Sequence, residues 1–220
     1  MASKILIVED QPLMASYYRD AMQLLPDMQD ADFTIAHTAQ TAANALEAHA
    51  TEKHFDYILL DYSIPACLEK KLYNGLDVGL LAKNIFWSAK IVVITSVFEG
   101  IIISEILQKL QPSGLLYKND IDSKMFFLAF SAIKNGHVFY SAYITKIMSN
   151  PLFVTHQLDF IDGKIILMIS QGLQRKSIAT QLHLSEASIK NRKAKIADYL
   201  GISGGNDEIL LRVCRERGLL

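Results

Sequence analysis

The stretch YILLDYSIP, Tyr57 to Pro65, joins a short run of apolar residues directly to an aspartate. An uninterrupted apolar run of this length is typical of a strand that is covered on both faces. A carboxylate at the end of such a strand loses hydration, so it needs a partner that offsets the cost. The position of Asp61 therefore indicates a role beyond packing.

Other short apolar runs resemble this one and alternate with helical patterns. The predicted strands are KILIVE (4–9), FTIAHT (33–38), DYILLD (56–61), KIVVITS (90–96) and GLLYK (114–118). Helical spacing occurs near residues 12–25, 40–52, 75–86, 100–110 and 122–135. A strand followed by a helix, repeated in this way, predicts an α/β fold with a doubly wound five-stranded parallel sheet.

The pattern changes near Gly136, and from Asp159 onward every segment has helical spacing. Short helical segments in a stretch of this length predict a second, smaller all-α domain of the helix-turn-helix type. We therefore expect a first domain at residues 1–136, a linker at 137–157 and a second domain at 158–220.

Composition and charge exclude several classes of protein. Half of the 220 residues are apolar, which is far from the composition of a disordered chain. Cys67 and Cys214 share no metal-binding spacing, and no apolar run approaches the ~20 residues that a membrane helix needs. Residues 1–155 carry a net charge of −4 and residues 156–220 carry +3. We expect a cytoplasmic protein with no membrane association and a basic C-terminal partner surface.

Polar residues follow the predicted strands at their carboxyl ends. Glu9 and Asp10 end the first strand, Asp61 the third, Thr95 the fourth and Lys118 the fifth. These ends meet at one edge of a parallel sheet, where ligands bind. Clustered carboxylates repel one another unless a cation lies among them, and oxygen ligands of this kind suit Mg²⁺.

Such a cluster could support phosphoryl transfer. Asp61 would be the nucleophile, Lys118 would neutralise the transferred oxygens and Thr95 would donate a hydrogen bond to one of them. Each residue alone has an ordinary alternative: Asp61 as a turn former, Asp10 as a helix cap, Lys118 as a surface charge. Their coincidence at the ends of several strands favours the site.

The blocks ILIVEDQP (5–12), ILLDYSIP (58–65), VVITS (92–96) and LLYKND (115–120) resemble the receiver domain of two-component response regulators. The resemblance covers roughly residues 3–136. It implies that Asp61 accepts a phosphoryl group from a phosphohistidine of a sensor histidine kinase. It also implies that Asp10 binds Mg²⁺ directly, Glu9 mostly through water, and Ser63 through its backbone carbonyl.

Two positions depart from the receiver pattern. Leu115 stands where such domains usually have the switch aromatic, three residues before the lysine, although Tyr117 is nearby. Residues 66–74 lengthen the loop after Pro65, and we expect this segment to overhang the acidic site.

The segment GLQRKSIATQLHLSEASIKNRKAKIADYLGI (172–202) has the organisation of two helices joined by a tight turn. The small residue Ala179 permits a close crossing, and Ser185 is expected to cap the second helix. That helix presents apolar residues on one face and cations with an asparagine on the other. An amphipathic helix with a solvated basic face is the simpler alternative.

The same segment resembles the DNA-binding domain of LuxR-type (NarL/FixJ-type) regulators, which implies that its second helix enters the major groove. The candidate DNA-binding residues lie on the two helices and in the turn: Lys176, Ser185, Lys190, Asn191, Arg192, Ala194 and Lys195. The family usually has histidine where Arg192 stands. Resemblance to this family also implies a homodimer when phosphorylated or DNA-bound.

The sequence thus predicts a response regulator that controls transcription and is not an enzyme acting on an external substrate. Two alternatives stay open. An aspartate-nucleophile phosphatase would normally have a D-x-D pair after the first strand, where this chain has Glu9 and Asp10 followed by Gln11 and Pro12. An atypical receiver that is not phosphorylated would act as a protein-interaction module.

Overall fold

The computed structural model describes residues 2–50, 55–149, 158–202 and 206–220. Its strands are β1 (Lys4–Val8), β2 (Asp32–Ala36), β3 (Tyr57–Leu60), β4 (Lys90–Thr95), β5 (Gly114–Tyr117) and β6 (Phe139–Tyr140). They form one parallel sheet in the order β2-β1-β3-β4-β5-β6. The predicted α/β class is confirmed, and the short β6 is an addition to the five expected strands.

Helices connect the strands and continue beyond them. In the described part of the N-terminal sequence they are α1 (Pro12–Gln23), α2 (Ala39–Ala48), α3 (Gly75–Ile85), α4 (Gly100–Lys109), α5 (Ser123–Lys134) and α6 (Ala142–Met148). Local sequence explains where they start: Pro12 occupies the first turn of α1, and the Thr38, Asn74 and Asp122 side chains accept hydrogen bonds from backbone N–H groups of α2, α3 and α5.

Both faces of the sheet are buried, as the continuous apolar strands predict. On one face Ile5, Ile7 and Val92 pack with Phe126 and Phe130 of α5 in a single apolar cluster that also includes residues of α1. Burying one such side chain stabilises the fold by roughly 1.5–3 kcal/mol. This packing fixes the strands, and the strands in turn fix the residues at their carboxyl ends.

The C-terminal sequence forms a helical cluster with its own core. Its described helices are α7 (Phe160–Ser170), α8 (Arg175–Leu182), α9 (Glu186–Tyr199) and α10 (Asp207–Glu216). Ile165, Ile178, Ile189, Ile196 and Leu210 form the centre of its core. The turn between α8 and α9 begins with His183 in the left-handed conformation (φ 53°), which ends α8 after two turns.

Backbone contacts divide the chain into two compact units. The N-terminal unit comprises Met1–Val97 and Ile106–Thr145, and the C-terminal unit comprises Phe98–Glu105 and Lys146–Leu220. β6 and all of α6 lie in the predicted linker, 137–157, and residues 150–157 of that linker are outside the described residues. Within the described ranges, no helix combines the length and apolarity needed to span a bilayer.

Candidate functional site

The acidic residues and Lys118 meet at the carboxyl edge of the sheet, as predicted. Glu9 follows β1, Asp61 follows β3 and Lys118 follows β5. The Lys118 ammonium donates hydrogen bonds to Glu9 Oε2 at 2.9 Å and to Asp61 Oδ2 at 2.9 Å. Glu9 and Asp61 are almost fully buried, so this lysine is a cation held between two desolvated carboxylates.

Asp10 completes a group of three carboxylates. Oxygen atoms of Glu9, Asp10 and Asp61 lie within 4.8 Å of one another, and Asp10 is exposed while the other two are buried. The Lys118 ammonium contacts both buried members. Three carboxylates with one lysine leave an excess of negative charge, which is a set of donors that suits a hard divalent cation.

The protonation equilibria of the site reflect this burial. Loss of hydration raises the pKa of Glu9 and of Asp61, and the hydrogen bonds from Lys118 only partly oppose the change. Burial by itself would lower the pKa of Lys118, but the hydrogen bonds to Glu9 and Asp61 outweigh it, so that pKa is raised. The lysine therefore stays charged near neutral pH, while the two carboxylates ionise at a cost.

The backbone around Asp61 is held tightly. Its N–H donates to the Val8 carbonyl at 2.8 Å, and its Oδ1 accepts from the Ser63 N–H at 3.1 Å. Gly75 begins α3 directly beside it: a Cβ added there would lie 2.0 Å from the Asp61 carbonyl oxygen. No sequence pattern predicts this close approach, although Gly75 follows the capping residue Asn74.

Two further predicted residues lie in the same unit. Thr95 ends β4 and is buried, and its hydroxyl oxygen accepts a hydrogen bond from the Val97 N–H at 3.0 Å. The hydroxyl hydrogen remains for donation to another group. Leu115 is fully buried in β5 and pairs with Val93 of β4, so the usual aromatic position holds a core residue.

His37 is a neighbour of the site that sequence reasoning missed. Its Nδ1 lies 2.7 Å from the Glu9 carbonyl oxygen, and the ring nitrogen is the donor because a carbonyl only accepts. This bond holds the backbone where Glu9 joins Asp10. No local pattern marks His37, because the contact joins the ends of two strands.

Residues 66–74, which lengthen the loop after Pro65, contain a small hairpin. Cys67 and Leu72 pair in both directions, at 2.7 and 3.0 Å, and both are buried. The Cys67 thiol donates to Gln40 in the first turn of α2, and Lys70 at the tip forms an ion pair with Glu47 in the last turn. The hairpin is thus bonded to the first and the last turn of α2. That this segment overhangs the acidic site stays a prediction.

The C-terminal unit exposes most of the predicted contact residues. Lys176 of α8, Ser185 in the turn and Lys190, Asn191, Ala194 and Lys195 of α9 are all exposed. Ser185 caps α9, since its hydroxyl accepts from the Ser188 N–H at 3.1 Å. The opposite face of α9 is buried in the core through Ile189 and Ile196.

Arg192 and Lys195 are engaged within the unit. Arg192 donates to Asp159 at 2.7 and 2.8 Å and to Asp162 at 2.6 Å, and Lys195 donates to Asp162 at 2.8 Å. Asp162 is fully buried and also closes the capping box of α7. The hydrogen bonds that the Arg192 guanidinium donates to both carboxylates raise its pKa. These bonds tie α9 to the start of α7.

Solved structures of similar fold decide the architecture. Two structures of RcsB superpose over the whole chain: one from Salmonella enterica serovar Typhimurium bound to a promoter with phosphomimetic BeF₃⁻ (TM-score 0.64, 18% identity, 100% of both chains), and one of two dimers bound to two parallel DNAs (TM-score 0.63, 19% identity, 98% of both chains). The chain has the fold of a response regulator. Its N-terminal unit is a receiver-like domain, and its C-terminal unit contains the helix-turn-helix.

Curated proteins of similar sequence have related names. The transcriptional regulatory protein LnrK of Bacillus subtilis is 23% identical over 90% of this chain and 91% of its own length. The transcriptional regulatory protein YdfI of the same organism is 25% identical over 99% and 98%. A putative transcriptional regulator of Pseudomonas aeruginosa is 27% identical over 88% and 89%. No family model matches the sequence.

Proposed function

We propose that this protein is a cytoplasmic two-component response regulator in which phosphorylation of Asp61 controls DNA binding by the C-terminal unit. The observation that carries the proposal is the meeting of Glu9, Asp10 and Asp61 with the Lys118 ammonium at one edge of the sheet. The names of the curated relatives support a role in transcription.

Mg²⁺ fits the donor set of the receiver domain. Glu9, Asp10 and Asp61 would hold it with the Ser63 carbonyl, because three clustered carboxylates exceed the charge that Lys118 neutralises. When bound, the ion supplies charge that offsets the repulsion between Asp61 and an incoming phosphoryl group. The remaining steps belong to residues of the chain itself.

Asp61 is the acceptor in this proposal. One carboxylate oxygen attacks the phosphorus of a phosphohistidine on a sensor kinase, the P–N bond breaks, and the imidazole nitrogen keeps the electron pair and takes a proton. Lys118 already contacts Asp61 Oδ2, so its ammonium is placed to neutralise a phosphoryl oxygen. The Thr95 hydroxyl hydrogen is assigned to a second phosphoryl oxygen.

The C-terminal unit supplies the output in this proposal. The exposed face of α9, with Lys190, Asn191 and Ala194, combines a cation, an amide and a small residue that permits close approach to base edges. Lys176 and Ser185 flank it and are assigned to phosphates. Arg192 and Lys195 would reach DNA only by sharing or leaving their carboxylate partners. The DNA-bound dimers named for RcsB support a homodimer of this protein on two half-sites.

Phosphoryl acceptance is tested by incubating the protein with acetyl phosphate and Mg²⁺ and measuring intact mass. We expect one phosphoryl group per chain, located at Asp61 by peptide mapping and lost in Asp61→Ala. Asp56→Asn is the matched control, since Asp56 lies at the opposite end of the same strand and accepts from the Lys4 N–H. Absence of labelling in the native protein would favour the interaction-module alternative.

DNA binding is tested by selecting fragments from a genomic library with beryllofluoride-treated and untreated protein, followed by footprinting. We expect protected sites with two half-sites about one helical turn apart. Failure of both forms to retain any fragment would contradict the proposal. Steady turnover of phosphomonoesters would favour the phosphatase alternative.

A further inference from the structure

The loop that carries Lys118 is bound to the chain that follows α5. β6 adds to the edge of β5, with Gly114 opposite Phe139 and Leu115 opposite Tyr140. The Ser141 N–H then donates to the Leu115 carbonyl at 3.2 Å, and α6 begins at the next residue. This pairing places the first turn of α6 beside the end of β5.

Three contacts join the two segments on both sides of Lys118. Before the lysine, the Tyr117 N–H donates to the buried Ser141 hydroxyl at 3.0 Å. After it, Asp120 Oδ2 accepts from the Tyr143 N–H at 2.7 Å. The rings of Tyr117 and Tyr143 lie against each other, with centroids 4.6 Å apart and planes inclined by 33°. The lysine thus lies in a short loop whose two ends are fixed to the start of α6.

The ring pair lies beside the lysine. Leu115, earlier in β5, is fully buried and pairs with both neighbouring strands. Tyr117 lies two residues further along β5, next to Lys118, and its ring is engaged by Tyr143. A change in the position of Lys118 therefore acts on α6 through Tyr117 and Asp120.

The helix α6, whose first turn contacts the Lys118 loop, spans the boundary between the two compact units. The division between the two compact units falls inside α6, between Thr145 and Lys146. The residues that contact the Lys118 loop belong to the first turn of this helix, and its last residues, from Lys146, belong to the C-terminal unit. A helix transmits a displacement of its first turn along its axis better than a flexible linker does.

We propose that Tyr143 is a positioning residue that couples the Lys118 loop to α6, so that occupancy of the Asp61 pocket changes the stability of α6. This inference rests on the proposed phosphoacceptor function. The coupled event is a shift in the equilibrium of a short helix, and the covalent chemistry stays at Asp61.

The test uses the full chain and compares Tyr143→Ala with Tyr143→Phe, which keeps the ring. Beryllofluoride with Mg²⁺ is the probe, and backbone hydrogen exchange of residues 142–148 is the readout. In the native protein and in Tyr143→Phe we expect the probe to change exchange in α6 by about threefold or more. In Tyr143→Ala we expect that response to disappear, while acetyl phosphate still labels Asp61 fully. Tyr73→Ala, at an exposed tyrosine of the same domain, is the control that keeps the response.

An α6 response in Tyr143→Ala equal to that of the native protein would overturn the inference, even if labelling of Asp61 is normal. A native protein that neither binds beryllofluoride nor accepts the phosphoryl group would refute the proposed function, and this inference with it. If Tyr143→Ala does not fold, Asp120→Asn serves instead, because it weakens the bond to the Tyr143 N–H with little change in shape. Its α6 response is expected to be smaller than that of the native protein, and an unchanged response would again overturn the coupling.

Discussion

Replacing Asp61 by asparagine is expected to stabilise the receiver domain in the absence of magnesium. The carboxylate oxygens of Glu9, Asp10 and Asp61 lie within 4.8 Å of one another, and Lys118 contacts Asp61 at 2.9 Å. At an effective dielectric constant of about 20, each like-charge pair at that distance costs about 3.5 kcal/mol and the lysine contact returns about 6 kcal/mol. Asp10 is exposed, so its repulsion is smaller than this value.

The repulsion and the attraction nearly cancel. The desolvation of Asp61 therefore decides whether Asp61→Asn raises or lowers the stability of the domain. Its raised pKa has burial as the largest cause, which means that the ionised carboxylate is less favourable in the folded domain than in the unfolded chain. Asparagine avoids that cost, and we expect a gain of about 1–2 kcal/mol, or about 3–8 °C in Tm. The measurement is thermal unfolding followed by circular dichroism, in buffer with chelator and near neutral pH.

Magnesium should reduce the stability difference between the native protein and Asp61→Asn. A ligand tenfold above its dissociation constant adds about 1.4 kcal/mol to the stability of a protein that binds it only when folded. We expect the native Tm to rise with Mg²⁺ and that of Asp61→Asn to rise less. Asp30→Asn, at an exposed carboxylate in the loop before β2, should stay within about 0.5 kcal/mol of the native protein. A lower Tm for Asp61→Asn in chelator, together with a native Tm that ignores Mg²⁺, would refute the electrostatic reasoning.

Three further changes have defined outcomes. Gly75→Ala should lower the free energy of unfolding by about 1–3 kcal/mol and slow the labelling of Asp61 by acetyl phosphate, because the new Cβ would displace the Asp61 backbone. An unchanged labelling rate would contradict this. Asp162→Ala should destabilise the C-terminal unit by about 3 kcal/mol, measured by urea unfolding, because the Arg192 guanidinium loses one buried partner. A loss below about 0.5 kcal/mol would show that the ion pair is dispensable. Lys190→Ala should weaken DNA binding on all sequences and reduce the salt slope by about 1, as a phosphate contact does; a change confined to one base position would instead assign Lys190 to base recognition.

The N-terminal fold could be predicted from sequence because its signals are local. Each strand is a continuous apolar run and each helix has a recognisable start, such as Pro12 for α1 or Asn74 for α3. The meeting of Glu9, Asp61 and Lys118 followed from the same pattern, since the carboxyl ends of parallel strands share an edge. Position relative to a strand was sufficient to place these side chains.

Features that depend on distant residues could not be predicted. β6 has only two residues, which is too short for any periodic signal, and its pairing depends on the free edge of β5. Arg192 reads in sequence as a candidate DNA contact, yet its charge is held by Asp159 and Asp162, which are 33 and 30 residues away. The contact of the hairpin at 66–74 with α2, through the ion pair between Lys70 and Glu47, likewise joins residues that are far apart in sequence.

The affinity of the full chain for its selected DNA site, with and without beryllofluoride and Mg²⁺, tests the central claim most directly. The account predicts that beryllofluoride changes the dissociation constant by about fivefold or more, as expected for a coupling of at least ~1 kcal/mol, and that Asp61→Asn abolishes the change without altering the basal affinity. Equal affinity of the native protein in both conditions, with the reagent demonstrably bound at Asp61, would contradict it.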